Sequence, residues 1–128
     1  MAAMQQICIV DEDPYHIKVM GLMLQYRNAY RTFSFQNAER AWSHMLMLRP
    51  HAIICDLELK PVDGLALLRR VRTHNLTRAI PFLMVSMDPT EDAFRRAHEG
   101  GADALLPKPF TLAMFHDAVS EAAKRRKG

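Results

Sequence analysis

Six polar residues closely follow short apolar segments of the chain, at the points where strands would end. They are Asp11, Glu12, Asp13, Asp56, Ser86 and Lys108. Carboxylates are the hard oxygen ligands that Mg²⁺ or Mn²⁺ prefers, and clustered carboxylates need a cation to offset their repulsion. A carboxylate oxygen can also attack a phosphoryl group to form an acyl phosphate, while an ammonium and a hydroxyl neutralise the transferring oxygens. The set therefore predicts metal-assisted phosphoryl chemistry, provided that the fold brings the six residues together.

The order of apolar patterns along the chain supplies such a fold. Strand-like apolar runs lie at 7–10, 30–35, 53–55, 81–85 and 104–106, and a helical pattern follows each of them. Helix start signals stand at Pro14, Asn37, Asp63, Thr90 and Thr111. Five alternating strands and helices predict βαβ units, a parallel sheet with right-handed crossovers, and helices on both faces. Ligands bind outside the carboxyl ends of such strands, so the polar residues are expected at one edge.

Length and composition predict one globular domain over residues 1–128. The chain is 49% apolar, which is enough for a single core that we place at about 6–123. The formal net charge is +3, which is less than the charge of the four consecutive basic residues Lys124, Arg125, Arg126 and Lys127. Residues 124–128 are therefore expected to form a solvated basic tail. Nucleic-acid binding usually needs a basic stripe across the fold, which this distribution does not predict.

The sequence also predicts a cytoplasmic protein. No apolar run reaches membrane-spanning length, and no signal segment opens the chain. Cys8 and Cys55 lie inside apolar runs, where we expect reduced core thiols. The six histidines form no i, i+4 pair of the kind that binds metals, and they are expected on the surface or in structural roles.

The motifs that carry this chemistry resemble those of the CheY-like receiver domain of bacterial response regulators. The resemblance runs from about Gln6 to Ala123. It rests on Ile-Val-Asp-Glu-Asp-Pro at 9–14, Asp-Leu at 56–57, Asp-Gly at 63–64, Val-Ser at 85–86, and Gly-Ala-Asp through Lys-Pro-Phe at 101–110. Each segment is modest alone, but the set is specific in this order and at these separations. The resemblance implies a flavodoxin-like (βα)5 fold, doubly wound, with five strands in the order 2-1-3-4-5.

The resemblance also implies a role for each matching residue. Asp56 matches the phosphoacceptor, and Ser86 and Lys108 match the hydroxyl and the ammonium that contact the phosphoryl group. The implied ligands of Mg²⁺ (or Mn²⁺) are Asp11, Glu12, Asp56 and the backbone carbonyl of Glu58. Pro109 matches a proline that follows a cis peptide bond in the family.

Three residues depart from the family pattern. Glu12 stands where an aspartate is usual, Lys60 where a proline is usual, and Leu105 where an aromatic residue commonly swings inward. The longer side chain of Glu12 must be absorbed by the metal site. Lys60 places a positive charge in the loop after Asp56, and Leu105 removes or alters the aromatic switch.

The residues leave three functions open. The first is a stand-alone signalling receiver that a sensor histidine kinase or phosphotransfer protein phosphorylates. Its output would be contact with a downstream target protein or a homodimer, with no DNA-binding domain and no membrane contact. The second is a phosphorylation-independent pseudo-receiver that works as an interaction module, which the three departures motivate. The third is a metal-dependent phosphatase with an aspartyl nucleophile and Glu58 as an imperfect second acid.

Overall fold

A computed structural model describes residues 5–27 and 30–127, and its strands and helices alternate along the chain. The elements are β1 (Gln6–Val10), α1 (Pro14–Arg27), β2 (Arg31–Phe35), α2 (Ala38–Leu48), β3 (Ala52–Asp56), α3 (Gly64–Thr73), β4 (Phe82–Ser86), α4 (Glu91–Gly100), β5 (Ala104–Pro107) and α5 (Leu112–Lys127). Within these residues, none of the helices is both long and apolar enough to cross a membrane.

The five strands form one parallel sheet in the order β2-β1-β3-β4-β5. This confirms the predicted (βα)5 arrangement and its flavodoxin-like strand order. In the sheet register, Asp56 at the end of β3 lies beside Val85, and Ser86 at the end of β4 lies beside Pro107. The polar residues that follow β1, β3, β4 and β5 therefore share one edge of the sheet.

Alternate strand residues point to opposite faces of the sheet, and two apolar cores result. One core, which packs against α2, α3 and α4, includes Cys8, Ile53, Cys55 and Met84. The other, which packs against α1 and α5, includes Ile7, Ile54, Leu83 and Phe115. The central strands β3 and β4 are buried at every residue. Asp56 and Ser86 are the last residues of these strands, so their positions are held firmly. Both cysteines are free and buried, and burial raises the pKa of Cys8 to about 12.

The predicted helix start signals act as caps. The side chains of Asn37, Asp63 and Thr90 each accept a hydrogen bond from the backbone N–H three residues later. The fourth helix ends at Gly101, whose φ of 100° lies in the left-handed region that glycine adopts without strain. These caps fix where α3 and α4 begin, immediately after the loops that follow Asp56 and Ser86.

The predicted solvated tail is in part packed against the fold. Helix α5 continues through the basic residues, and Arg126 Nε lies 2.8 Å from Oδ1 of the buried Asp103. Arg72 Nη2 lies 3.2 Å from the other carboxylate oxygen, which also accepts the N–H of Phe82 at 2.8 Å. A buried carboxylate needs such partners, and sequence patterning alone did not show that Arg126 supplies one. Residue 128 of the predicted tail lies outside the described residues.

Substitution of two helical glycines by alanine should change stability in opposite directions, because only one of them is in close contact with neighbouring backbone. A Cβ on Gly64 would lie 2.5 Å from the carbonyl oxygen of Asp56, so Gly64→Ala must displace backbone. We expect it to lower the free energy of unfolding by about 1–3 kcal/mol. Gly21 inside α1 has its nearest such neighbour at 4.0 Å, so Gly21→Ala should raise stability by about 0.5–1 kcal/mol. Urea unfolding measures both, and a Gly64→Ala protein as stable as wild type would contradict the close approach.

Candidate functional site

The carboxyl edge of the sheet brings together four of the residues that the sequence singled out. Asp11, Asp56, Ser86 and Lys108 come from four different strand ends and are all largely buried. Asp11 is 1% exposed and Asp56 is 8% exposed, which is unusual for carboxylates unless they are paired.

Lys108 joins the two buried aspartates. Its Nζ lies 2.6 Å from Oδ2 of Asp11 and 3.6 Å from Oδ2 of Asp56. The backbone N–H of Lys108 donates to the carbonyl of Ser86 at 2.8 Å, which ties the base of the side chain to the end of β4. The Lys108–Pro109 peptide bond is cis, as the resemblance implied. A single ammonium thus balances charge on two carboxylates that the fold places side by side.

The surroundings of Asp56 penalise its charged form relative to an exposed aspartate. Burial raises the pKa of Asp56 from 3.8 to about 6, with Asp11 adding to the effect and Lys108 opposing it. The N–H of Glu58 also donates to Asp56 Oδ1 at 3.3 Å, which favours the carboxylate. Asp56 is consequently a carboxylate whose negative charge is only partly compensated, and an added cation at the site would relieve it.

Ser86 is engaged by a side chain whose role the sequence did not predict. Its Oγ lies 2.7 Å from Oε2 of Glu58, and the backbone N–H of Met87 donates to Oε1 of the same carboxylate at 3.0 Å. The sequence predicts the backbone carbonyl of Glu58 as a metal ligand and its side chain as an imperfect second acid, but not a hydrogen bond to Ser86. The position two residues after Asp56 was the available signal, because the β3–α3 loop faces the end of β4.

The third predicted metal carboxylate stands apart. Glu12 is exposed, and its backbone carbonyl accepts a hydrogen bond from Gln36 Nε2 at 3.0 Å. Residues 5–27 and 30–127 contain no ready group of three His, Cys, Asp or Glu side chains that could hold a metal ion. Asp11 and Asp56 are buried together with Lys108 between them, whereas Glu12 is exposed. The ligand set of Asp11, Glu12, Asp56 and the Glu58 carbonyl stays a prediction.

The donor set still fits a magnesium ion. Asp11 and Asp56 are adjacent carboxylates whose charge Lys108 only partly balances, and Mg²⁺ takes one or two carboxylates while keeping several waters. A backbone carbonyl can complete the set without a third acidic side chain.

His16 is a residue at the site that sequence reasoning missed. Its Nδ1 lies 3.0 Å from Lys108 Nζ and 3.7 Å from Asp11 Oδ2, and its Nε2 lies 3.5 Å from Asp13 Oδ2. We had expected the histidines only on the surface or in structural roles. The signal was its place in the first turn of α1, directly after the acidic loop, where the helix faces the sheet edge.

The three departures from the family pattern have distinct surroundings. Lys60 is exposed, and it precedes a second cis peptide bond, to Pro61. Leu105 is half-buried against the core on the α4 side of the sheet. Glu12 is exposed at the margin of the site, in the loop that follows β1. Within the part of the chain that the structure describes, none of these three side chains forms an ion pair or hydrogen bond with the side chains of Lys108, Asp11 or Asp56.

The fold and this edge define a class: doubly wound α/β proteins with an acidic pair, a hydroxyl and a lysine at the carboxyl ends of their strands. Residues 7–120 match the family model of the response regulator receiver domain. The chain belongs to that family, whose members are the receivers of two-component systems.

The similar proteins include regulators of several kinds. The transcriptional regulatory protein KdpE of Staphylococcus aureus is 30% identical over 112 residues, which are 85% of this chain and 46% of KdpE. The sporulation initiation phosphotransferase F of Bacillus subtilis is 26% identical over 117 residues, which are 91% of this chain and 92% of that protein. The chain therefore spans about half the length of KdpE and nearly all of the phosphotransferase.

A solved structure agrees with the same assignment. A crystal structure from Chloroflexus aurantiacus J-10-fl, described as that of a response regulator, superposes with a TM-score of 0.90 at 30% identity. The match covers 96% of this chain and 100% of the other.

The raised pKa of Asp56 predicts that the charge at this residue costs stability. Each pKa unit corresponds to about 1.4 kcal/mol, so Asp56→Asn should stabilise the metal-free protein at pH 7 by on the order of 1–3 kcal/mol. Between about pH 6 and pH 3.8 the folded protein holds a proton on Asp56 that the unfolded chain has released. The advantage of the variant should therefore shrink as the pH falls through this range.

Urea unfolding in EDTA across this pH range measures the difference. Asp117→Asn removes an exposed carboxylate from α5 and serves as the control, with stability close to wild type at each pH. A stability of Asp56→Asn at or below that of wild type at pH 7 would show that the ionised carboxylate is not penalised.

Proposed function

We propose that this chain is a phosphoryl-accepting receiver in which Asp56 is phosphorylated in a reaction that needs Mg²⁺. The observation that carries the proposal is the position of Lys108, whose Nζ lies within 4 Å of both Asp11 and Asp56 at an edge that also holds Ser86. A neutral core would be cheaper to fold than this buried group. Its retention at the ligand-binding edge of a parallel sheet favours a chemical role.

The proposed reaction assigns one task to each residue. An oxygen of the Asp56 carboxylate attacks the phosphorus of the donor, the bond from phosphorus to the donor's leaving atom breaks, and an acyl phosphate forms on Asp56. The ammonium of Lys108 pairs with the oxygens of the transferred group, and the hydroxyl of Ser86 donates to one of them. Both groups are already held at the end of the sheet.

We assign the metal to Asp11, Asp56 and the backbone carbonyl of Glu58, with Glu12 at the rim. When bound, Mg²⁺ would neutralise negative charge shared by the carboxylates and the phosphoryl oxygens. The raised pKa of Asp56 supports this assignment, because a cation nearby would lower that pKa and stabilise the carboxylate that acts as the nucleophile.

The phosphodonor is proposed to be a histidine kinase or phosphotransfer protein. A largely apolar groove of about 400 Å³ adjoins the site, where Tyr15 and Val19 of α1 face Met87 and Phe110. Tyr15 is 68% exposed and Met87 is 60% exposed, so this apolar surface is open beside the buried Asp56. A protein that must bring a phosphoryl group to Asp56 would contact this groove.

The phosphorylated chain is proposed to signal by contact with a downstream protein or a second copy, as a single receiver domain over residues 1–128. The two free, buried thiols support a reducing, cytoplasmic location. The phosphotransferase that matches nearly end to end supports a role in relaying phosphoryl groups.

A small phosphodonor such as acetyl phosphate tests the proposal without a cognate kinase. With Mg²⁺, the wild-type chain should gain the mass of one phosphoryl group, and the linkage should be labile to base. The gain should disappear with EDTA or in Asp56→Asn, and Lys108→Ala should slow it by about tenfold or more through loss of the charge on the transferred oxygens.

Intact-mass spectrometry measures the uptake, and Asp117→Asn should load like wild type. Equal uptake by Asp56→Asn and wild type would show that another residue accepts the group. No uptake by wild type under any of these conditions would favour the pseudo-receiver hypothesis.

A further inference from the structure

The carboxylate of Glu58 occupies two hydrogen-bond donors at the end of β4. Its Oε2 lies 2.7 Å from Ser86 Oγ, and its Oε1 accepts the N–H of Met87 at 3.0 Å. The two oxygens of one carboxylate thus bridge a hydroxyl and a backbone amide. Ser86 is fully buried, so its hydroxyl would be costly to leave without a partner.

Each of these donors has a single proton to give. A serine hydroxyl has one O–H and a peptide has one N–H, so neither can serve Glu58 and a phosphoryl oxygen fully at the same time. The backbone of Glu58 is also tied to Asp56, since its N–H donates to Asp56 Oδ1 at 3.3 Å. Glu58 therefore contacts the acceptor residue through its backbone and the donors at the end of β4 through its carboxylate.

We propose that the Glu58 carboxylate holds the Ser86 hydroxyl and the adjacent Met87 N–H in the unphosphorylated protein, and that it must release both donors to the phosphoryl oxygens when Asp56 is phosphorylated. This inference rests on the proposed function and deepens it. Glu58 is a positioning residue: it keeps the Ser86 hydroxyl and the Met87 N–H oriented, and it competes with the incoming group for them. Only hydrogen bonds change at Glu58 in this exchange.

The structure offers a place for the displaced carboxylate. Glu58 is only half-buried, and it lines a groove of about 500 Å³ between the β3–α3 loop and α4. Two cations, Lys60 and Arg96, line the same groove together with three acids, Asp63, Asp88 and Asp92, so a carboxylate that leaves Ser86 would turn toward solvent rather than into a basic pocket. A phosphoryl group on Asp56 would also repel Glu58, since both are anionic.

The proposal predicts that the carboxylate weakens binding of a phosphoryl mimic. In Glu58→Ala both donors are free for the ligand. Beryllium fluoride with Mg²⁺ should therefore bind to this variant about tenfold more tightly than to wild type, which corresponds to roughly one hydrogen bond to a charged group. Glu58→Gln retains one oxygen acceptor in place of two, and its affinity should lie between the other two. Isothermal titration calorimetry measures the dissociation constants.

A matched control separates donor competition from a general effect of charge. Glu91→Gln removes an exposed acid at the start of α4 that is not a hydrogen-bond partner of Ser86 or Met87, and it should leave the affinity unchanged. The amide resonance of Met87 gives a second readout: without ligand it should shift in Glu58→Ala, and with beryllium fluoride wild type and variant should converge. A purely structural role of Glu58 would change the unfolding midpoint without this pattern.

The outcomes distinguish this inference from the function on which it rests. If wild type and Glu58→Ala bind the mimic equally, or the variant binds more weakly, the competition is overturned while phosphorylation of Asp56 stands. If neither protein binds the mimic nor takes up a phosphoryl group from acetyl phosphate, the proposed function itself fails.

Discussion

Two carboxylates buried at one edge of a sheet repel each other strongly, and the ammonium of Lys108 between Asp11 and Asp56 makes their burial tolerable. The rest of the site depends on this ion pair. Its position requires that β1, β3 and β5 end at the same edge, which the parallel order β2-β1-β3-β4-β5 ensures. It leaves Asp56 less compensated than Asp11, because Lys108 lies 2.6 Å from Asp11 and 3.6 Å from Asp56. Because its charge is less compensated, Asp56 is the carboxylate at which a further cation would bind more favourably or a nucleophilic reaction would start.

The unphosphorylated site satisfies its own polar groups. Lys108 contacts acidic side chains, and the hydroxyl of Ser86 contacts Glu58. A phosphoryl group must therefore replace internal partners rather than enter an open cavity, and the free energy of loading is a difference between two sets of hydrogen bonds. In this view the affinity of the site is set as much by the internal acids as by the groups that bind phosphate.

A purely structural ion cluster lies at the other end of the strands, where β4 and β5 begin. There the buried carboxylate of Asp103 is matched by Arg72, Arg126 and the N–H of Phe82. Asp56 has fewer compensating contacts, and burial raises its pKa. Asp103 is thus fully paired and stabilises the fold, whereas Asp56 is only partly paired, as is typical of a functional site.

The sequence by itself determined the alternation of strands and helices, the caps at Asn37, Asp63 and Thr90, and the edge at which Asp56, Ser86 and Lys108 meet. These follow from local periodicity, from capping chemistry and from the rule that parallel strands end together. Only the tertiary structure decided that Glu12 stays at the rim, that His16 approaches Lys108, that Glu58 binds Ser86 and that Arg126 docks on Asp103. Each of these depends on side-chain direction and on contacts between residues far apart in the chain. Spacing along the sequence carries no such information, because many partners compete for each buried polar group and packing selects among them.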